Sequence, residues 1–173
     1  MAFDSLRDFM DLLEARGRLV RVATPVSPVL EVTEIQTRLL AEGGPAVLFQ
    51  QVEGFDLPML VNLFGTVERV AWGMGREPHE LKGLGETLAF FKQPVPPESL
   101  GEAWAMLPLV KTALSMKPKT VGRGPCQEVV LKGADIDLGR LPVQTCWPGE
   151  PAPLITWPLV VTKGPSGARE DAF

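Results

Sequence analysis

The sequence predicts an α+β fold, α/β-like in its first part. A small N-terminal α/β layer domain spans 1–92, a Pro-rich linker with a short helix spans 93–120, and 121–173 opens a β-barrel or sandwich. Three observations predict it. Helical and strand-like apolar patterns alternate through the first 92 residues. Only 5 of the 17 prolines fall there, against 12 in the last 81 residues. From Pro125 onward the texture changes to short β-like runs broken by turns.

Ser5 with Asp8 three residues later forms a capping box, opening a helix with Leu6, Phe9, Met10, Leu12 and Leu13 on one face. Gly17 ends that helix in the left-handed conformation, and residues 18–22 follow as a short strand. Ser27-Pro28 reads as a cap followed by proline at the first helical position. The helix carries Val29, Val32, Ile35, Leu39 and Leu40, and Gly43-Gly44 stop it. Residues 45–52 and 58–64 read as two strands around a turn at Gly54. Thr66 starts a helix through Trp72, and a last helix carries Leu81, Leu84, Leu88, Phe90 and Phe91 into the cluster Pro94, Pro96, Pro97. The order is therefore α-β-α-β-β-α-α.

The linker holds an amphipathic helix over about Ser99 to Met116, with Trp104, Leu107, Val110 and Leu114 on its face and Pro108 kinking it. Gln127 to Lys132 reads as a strand, Asp135 to Leu138 as a turn, and Leu141 to Val143 as an extended piece. Leu154 to Thr162 reads as a strand in which Pro158 points to an edge position or a bulge. Two or three such strands do not close a barrel.

At 173 residues the chain is long enough to bury a sizeable core. Its 45% hydrophobic and 22% charged residues argue against disorder. A net charge of −4 and a pI near 5.1 argue against a nucleic-acid footprint. No apolar run is long enough to span a bilayer, and Met1 to Ser5 opens no signal peptide. Cys126 and Cys146 read as reduced, buried thiols, with a disulfide or a reactive nucleophile as the alternatives. His79 has no Cys or second His near it in sequence, so neither a metal site nor a Cys–His pair is expected. Asp135 and Asp137 fit a turn better than a catalytic pair, and Glu31 and Glu34 fit an exposed helix face. Lys117, Lys119 and Arg123 make a modest basic patch that suits solvent or an anionic ligand group.

The densest constellation is Thr145-Cys146-Trp147-Pro148 followed by Ala152-Pro153-Leu154-Ile155-Thr156-Trp157. Two indoles, two hydroxyls and a thiol between prolines suit the wall of a pocket for a flat aromatic ligand. The same tryptophans would equally fill a barrel core. No set of catalytic residues stands out.

Several runs together resemble the N-terminal part of the UbiD family of prenylated-flavin-dependent decarboxylases. They are Leu6-Arg7-Asp8-Phe9, Glu31-Val32-Thr33-Glu34-Ile35, Gly43-Gly44-Pro45-Ala46, Asn62-Leu63-Phe64-Gly65-Thr66 and Arg69 to Gly75. Gly124-Pro125-Cys126-Gln127 and the Thr145–Pro148 and Ala152–Trp157 runs extend the match across most of residues 3–165. The resemblance implies that 121–173 begins a flavin-binding split β-barrel, incomplete here. It implies non-oxidative decarboxylation of an aromatic acid, in its nearest branch 3-polyprenyl-4-hydroxybenzoate of ubiquinone biosynthesis. Prenylated FMN and a divalent metal, usually Mn²⁺, serve that reaction in the family. It further implies a cytoplasmic homo-oligomer with at most peripheral association at the inner membrane.

On this resemblance Thr145, Cys146, Trp147, Ile155, Thr156 and Trp157 are cofactor- or substrate-side wall residues. The family's first metal ligand lies in an Asn-Leu-Gly-Ile-Tyr-Arg-like run expected just beyond Phe173, and Asp171 does not replace it. No catalytic or metal-binding residue is therefore assigned, and the chain alone is expected to be inactive. The alternative from another class is a non-catalytic module docking on full-length decarboxylase subunits or another partner.

Overall fold

The computed structural model describes residues 3–93, 97, 99–115, 120–163 and 169–171. They form α-helices, a three-stranded sheet and a short hairpin, an α+β architecture. The chain divides into two compact units, each discontinuous in sequence. One is Met10–Thr66 with Leu138–Phe173, and the other is Met1–Phe9 with Val67–Asp137.

Helix α1 (Leu6–Ala15) starts as its sequence dictates. The Ser5 N–H donates to Asp8 Oδ2 at 2.9 Å, and the Asp8 N–H donates to Ser5 Oγ at 3.3 Å. Its end is equally local. Gly17 sits at φ 65°, and the Arg18 N–H reaches back to the Leu13 carbonyl at 2.7 Å.

The first unit is built on a sheet in the order β1-β2-β3. Strand β1 (Leu19–Val22) runs parallel to β2 (Ala46–Phe49), with Leu19 opposite Ala46 and Val22 opposite Phe49. Parallel pairing needs a crossover, and α2 (Glu31–Ala41) supplies it. Strand β3 (Met59–Val61) returns antiparallel to β2. All four residues of β2 are buried, as a central strand covered on both faces requires. The core gathers Val26, Val32, Val47, Phe49, Val52, Met59 and Val61, with Ile35 and Leu39 of α2 packed against it. Gly44 lets the α2–β2 connection pass close to α2: a Cβ there would stand 2.9 Å from Leu39 Cδ2 and 3.2 Å from the Leu39 carbonyl oxygen, so a neighbour would have to shift.

Helix α2 does not begin at Ser27-Pro28. It begins at Glu31, after Leu30 at φ 68°, ψ −39°. The Glu31 N–H closes a three-residue turn onto the Val29 carbonyl at 2.8 Å, the geometry of a strained γ-turn. Pro28 and Leu30 are held by hydrogen bonds to Thr145, 115 residues away from Leu30 in the chain, so the local cap signal is overridden. Ser27 still works locally, its Oγ accepting the Val29 N–H at 3.3 Å while its own N–H donates to Glu31 Oε2 at 2.7 Å.

The second unit contains α3 (Val67–Gly73), α4 (Leu81–Lys92) and α5 (Leu100–Ser115). Arg69, Ala71 and Trp72 of α3 are buried. The Glu77 N–H donates to Glu80 Oε2 at 2.7 Å, which is the main reason the Glu80 carboxyl is held below its ordinary pKa. Helix α5 runs through Pro108.

Two expected strands are not there. Pro125–Gln127 forms a 3-10 turn, and 128–132 is exposed and irregular. In the 154–162 run only its end is strand. β4 (Val161–Lys163) pairs antiparallel with β5 (Arg169–Asp171). A strand is a half of a ladder, and no described neighbour offers these runs one. The turn expected at Asp135 to Leu138 lies between two 3-10 turns, Gly133–Asp135 and Leu138–Arg140.

Candidate functional site

The constellation around Thr145 belongs to the sheet-bearing unit. Thr145 forms a parallel bridge to Val29. Its N–H donates to the Pro28 carbonyl and its carbonyl accepts the Leu30 N–H, each at 3.0 Å. Extended backbone sends alternate side chains to opposite faces. Gln144 and Cys146 accordingly point inward, 8% and 6% exposed, while Thr145 is half-buried and Trp147 is 58% exposed. Gln144 Oε1 is buried and accepts no hydrogen bond from any described residue.

The next turn is held by one carboxylate. Glu150 Oε2 accepts the Cys146 N–H at 2.6 Å and the Trp147 N–H at 3.2 Å, with Gly149 at φ 79° completing the reversal. The Leu154 N–H then donates to the Gln144 carbonyl at 2.9 Å, so the two wall segments are tied together at their bases. Beyond that tie Ile155 and Thr156 are exposed. Trp157 is 75% exposed, yet one side of its ring is braced by Phe64, edge to face at a centroid distance of 5.1 Å.

Phe64 is positioned by a second unusual residue. Asn62 adopts φ 54°, a left-handed conformation that Asn tolerates better than most residues. Its Nδ2 donates to the carbonyls of Gly44 at 3.1 Å and Pro45 at 2.9 Å, pinning the end of β3 to the start of β2.

Of the six wall residues read from the sequence, Trp147, Ile155, Thr156 and Trp157 present surface, Thr145 is a backbone tie, and Cys146 packs inward. Both cysteines are free, and Cys126 is exposed rather than buried. Sequence reasoning missed Leu30, Gln144, Glu150 and the brace by Phe64. Of these only Phe64 lay in a run already singled out, and nothing local linked it to Trp157.

Glu14, Arg21 and Glu80, whose pKa values are displaced, lie outside this segment. Among the described residues no three His, Cys, Asp or Glu side chains come together to hold a metal ion. No helix among them is long and apolar enough to cross a membrane. The arrangement holds two indoles, a hydroxyl and an apolar strip on a frame tied to the ends of β2 and β3 and to the segment that enters α2.

Residues 10–88 match the family model of the 3-octaprenyl-4-hydroxybenzoate carboxy-lyase N-terminal domain. Residues 119–172 match the model of the Rift-related domain of the same carboxy-lyase. Among solved structures, an evolved dimeric form of the UbiD-class enzyme HmfF from Pelotomaculum thermopropionicum, in complex with prFMN, aligns with a TM-score of 0.67. It is 27% identical over 96% of this chain and 34% of its own. The same organism's HmfF in complex with FMN aligns with a TM-score of 0.66 and 26% identity, over 96% of this chain and 33% of its own. The chain thus spans about a third of the length of these enzymes.

Proposed function

Because the chain belongs to the UbiD family, we propose that its Thr145–Trp157 segment is one wall of a prenylated-FMN site used in non-oxidative decarboxylation of an aromatic acid. The observation that carries this reading is Trp157, whose indole is braced on one side by Phe64 and otherwise open. Such a ring offers a flat ligand a stacking face already fixed in place, so little rotamer freedom is lost on binding. The neighbouring Thr156 hydroxyl is free to orient a polar edge of the ligand, and Trp147 and Ile155 exclude water from its rim. The orphaned Gln144 oxygen is a buried acceptor beneath the same wall. When bound, prenylated FMN supplies the electron sink for the pair left on carbon as CO₂ departs.

The matched family models favour a 3-polyprenyl-4-hydroxybenzoate as substrate, which would place the activity in ubiquinone biosynthesis, in the cytoplasm or peripherally at the inner membrane. Self-association is part of the reading, supported by the dimeric form of the Pelotomaculum enzyme. A second reading, a non-catalytic module docking on full-length subunits, is favoured by the exposed apolar run Leu154 to Val160.

Titrating FMN, then prenylated FMN, into the purified chain tests the wall. Flavin fluorescence should be quenched, and Trp157→Ala should weaken binding about tenfold, the loss of one stacking contact. Equal binding by the variant and the parent chain would remove Trp157 from the site.

A further inference from the structure

Trp147 and Trp157 stand on the same wall but are not fixed in the same way. The Phe64 ring braces Trp157. Trp147 is exposed and has no ring partner among the described residues, so its place is set by its backbone. Trp147-Pro148-Gly149-Glu150 has the residue order of a type II turn, with proline second and glycine third at φ 79°. The Glu150 N–H closes that turn on the Trp147 carbonyl at 3.3 Å. Turn closure asks nothing more of residue 150. Its carboxylate nevertheless folds back, and Oε2 accepts the N–H groups of Cys146 at 2.6 Å and Trp147 at 3.2 Å. Both backbone groups of Trp147 therefore end on Glu150. The two bonds to the carboxylate are charge-assisted, about twice as strong as bonds between neutral groups.

We propose that Glu150 is the positioning residue for Trp147, holding its indole at the rim of the wall through the backbone as Phe64 holds Trp157 through ring packing. The consequence for ligand binding rests on the flavin reading above, whereas the anchoring of the indole does not. The geometry is directional. With Cys146 seated inward, the next side chain along extended backbone points outward, and a fixed Trp147 backbone fixes the direction of its Cα–Cβ bond. The indole then has only its own side-chain torsions left to lose when a flat ligand meets it.

Nitrogen-15 relaxation of the Trp147 indole N–H in the whole chain, its resonance identified by its loss in Trp147→Phe, tests the anchoring without ligand. The indole should be ordered in the parent chain and loosened by Glu150→Ala, with the Trp72 and Trp157 indoles unchanged. Glu150→Gln keeps an acceptor oxygen at the same reach and should restore the order. Glu150→Asp keeps the charge but is one methylene short, and should not; it also stands in for Glu150→Ala if that variant does not fold. In the FMN titration Glu150→Ala should weaken binding about threefold, the cost of ordering one large side chain on binding. It should add nothing once Trp147→Ala is present. A Trp147 indole equally ordered without the carboxylate would overturn the proposal, as would loosening of all the indoles together or rescue by Asp but not by Gln. A loss of FMN affinity as large in the Trp147→Ala background would overturn action through Trp147. A parent chain that binds no flavin would overturn the flavin reading, and the indole relaxation would still decide the anchoring.

Discussion

Leu30 shows how far one residue can depart from what its identity favours. A leucine at φ 68° has its Cβ crowded against its own backbone, a cost of about 1–2 kcal/mol. It persists because the backbone on both sides is held from outside: Thr145 bonds Pro28 and Leu30, and Glu31 enters α2 at once. Replacing Leu30 by Gly and by Ala removes the same side chain but relieves the strain only in the first case. The Gly variant should be the more stable of the two by about 1 kcal/mol, roughly 3 °C in a thermal melt. An Ala variant melting as high as the Gly variant would show that no strain is stored there. No glycine marks this position in the sequence, so the turn was not legible. Asn62 at φ 54° is similar, although an asparagine is at least permissive there.

At the level of elements, short-range signals held where no distant partner competed, as in α1, and failed where one did, as at Ser27-Pro28. The Ser5–Asp8 box and Gly17 set both ends of α1 because the groups involved lie within a few residues of each other. α1 is tied to β1 by Glu14, which accepts both Nε (2.9 Å) and Nη2 (2.8 Å) of Arg21. Those hydrogen bonds, more than charge alone, hold the Glu14 carboxyl below its ordinary 4.5. A carboxyl depressed in the folded state stabilises the fold above its unfolded pKa and loses that contribution as the pH falls through the lower folded value. Glu14→Gln should therefore melt slightly below the parent chain at neutral pH, with the gap closing as the pH falls below the ordinary carboxylate range. A gap that stays constant across that range would show that the pair contributes nothing through charge. The strand expected at 127–132, and all but the end of the one expected at 154–162, failed for the opposite reason. Their Val, Leu and Ile content fits a pleated surface, but a ladder needs a partner, and composition does not say whether one is present.

For the whole chain, the compact units cut across the linear order. The division at 1–92, 93–120 and 121–173 remains our proposal for where the backbone is most open to cleavage, not for which parts pack together. Thr145 bonded to Pro28 and Leu30 makes a direct prediction. Limited proteolysis within 93–125 should nick the chain, and the 1–92 and 121–173 pieces should co-elute under native conditions. Separation of the pieces on nicking would show that the Val29–Thr145 bridge and the Phe64–Trp157 contact are too weak to hold the wall in place.

The sequence by itself determined the α+β class, the βαβ order of the first sheet and both ends of α1. Each follows from periodicity, capping chemistry or motif content within a short window. Only the tertiary structure decided that Thr145 acts through its backbone, that Cys146 and Gln144 face inward, and that Phe64 braces Trp157. Those outcomes depend on which distant groups find each other, as Thr145 does Pro28 and Trp157 does Phe64. Side-chain type is written locally, whereas hydrogen-bond partnership across about a hundred residues is set by the fold that closes the loop.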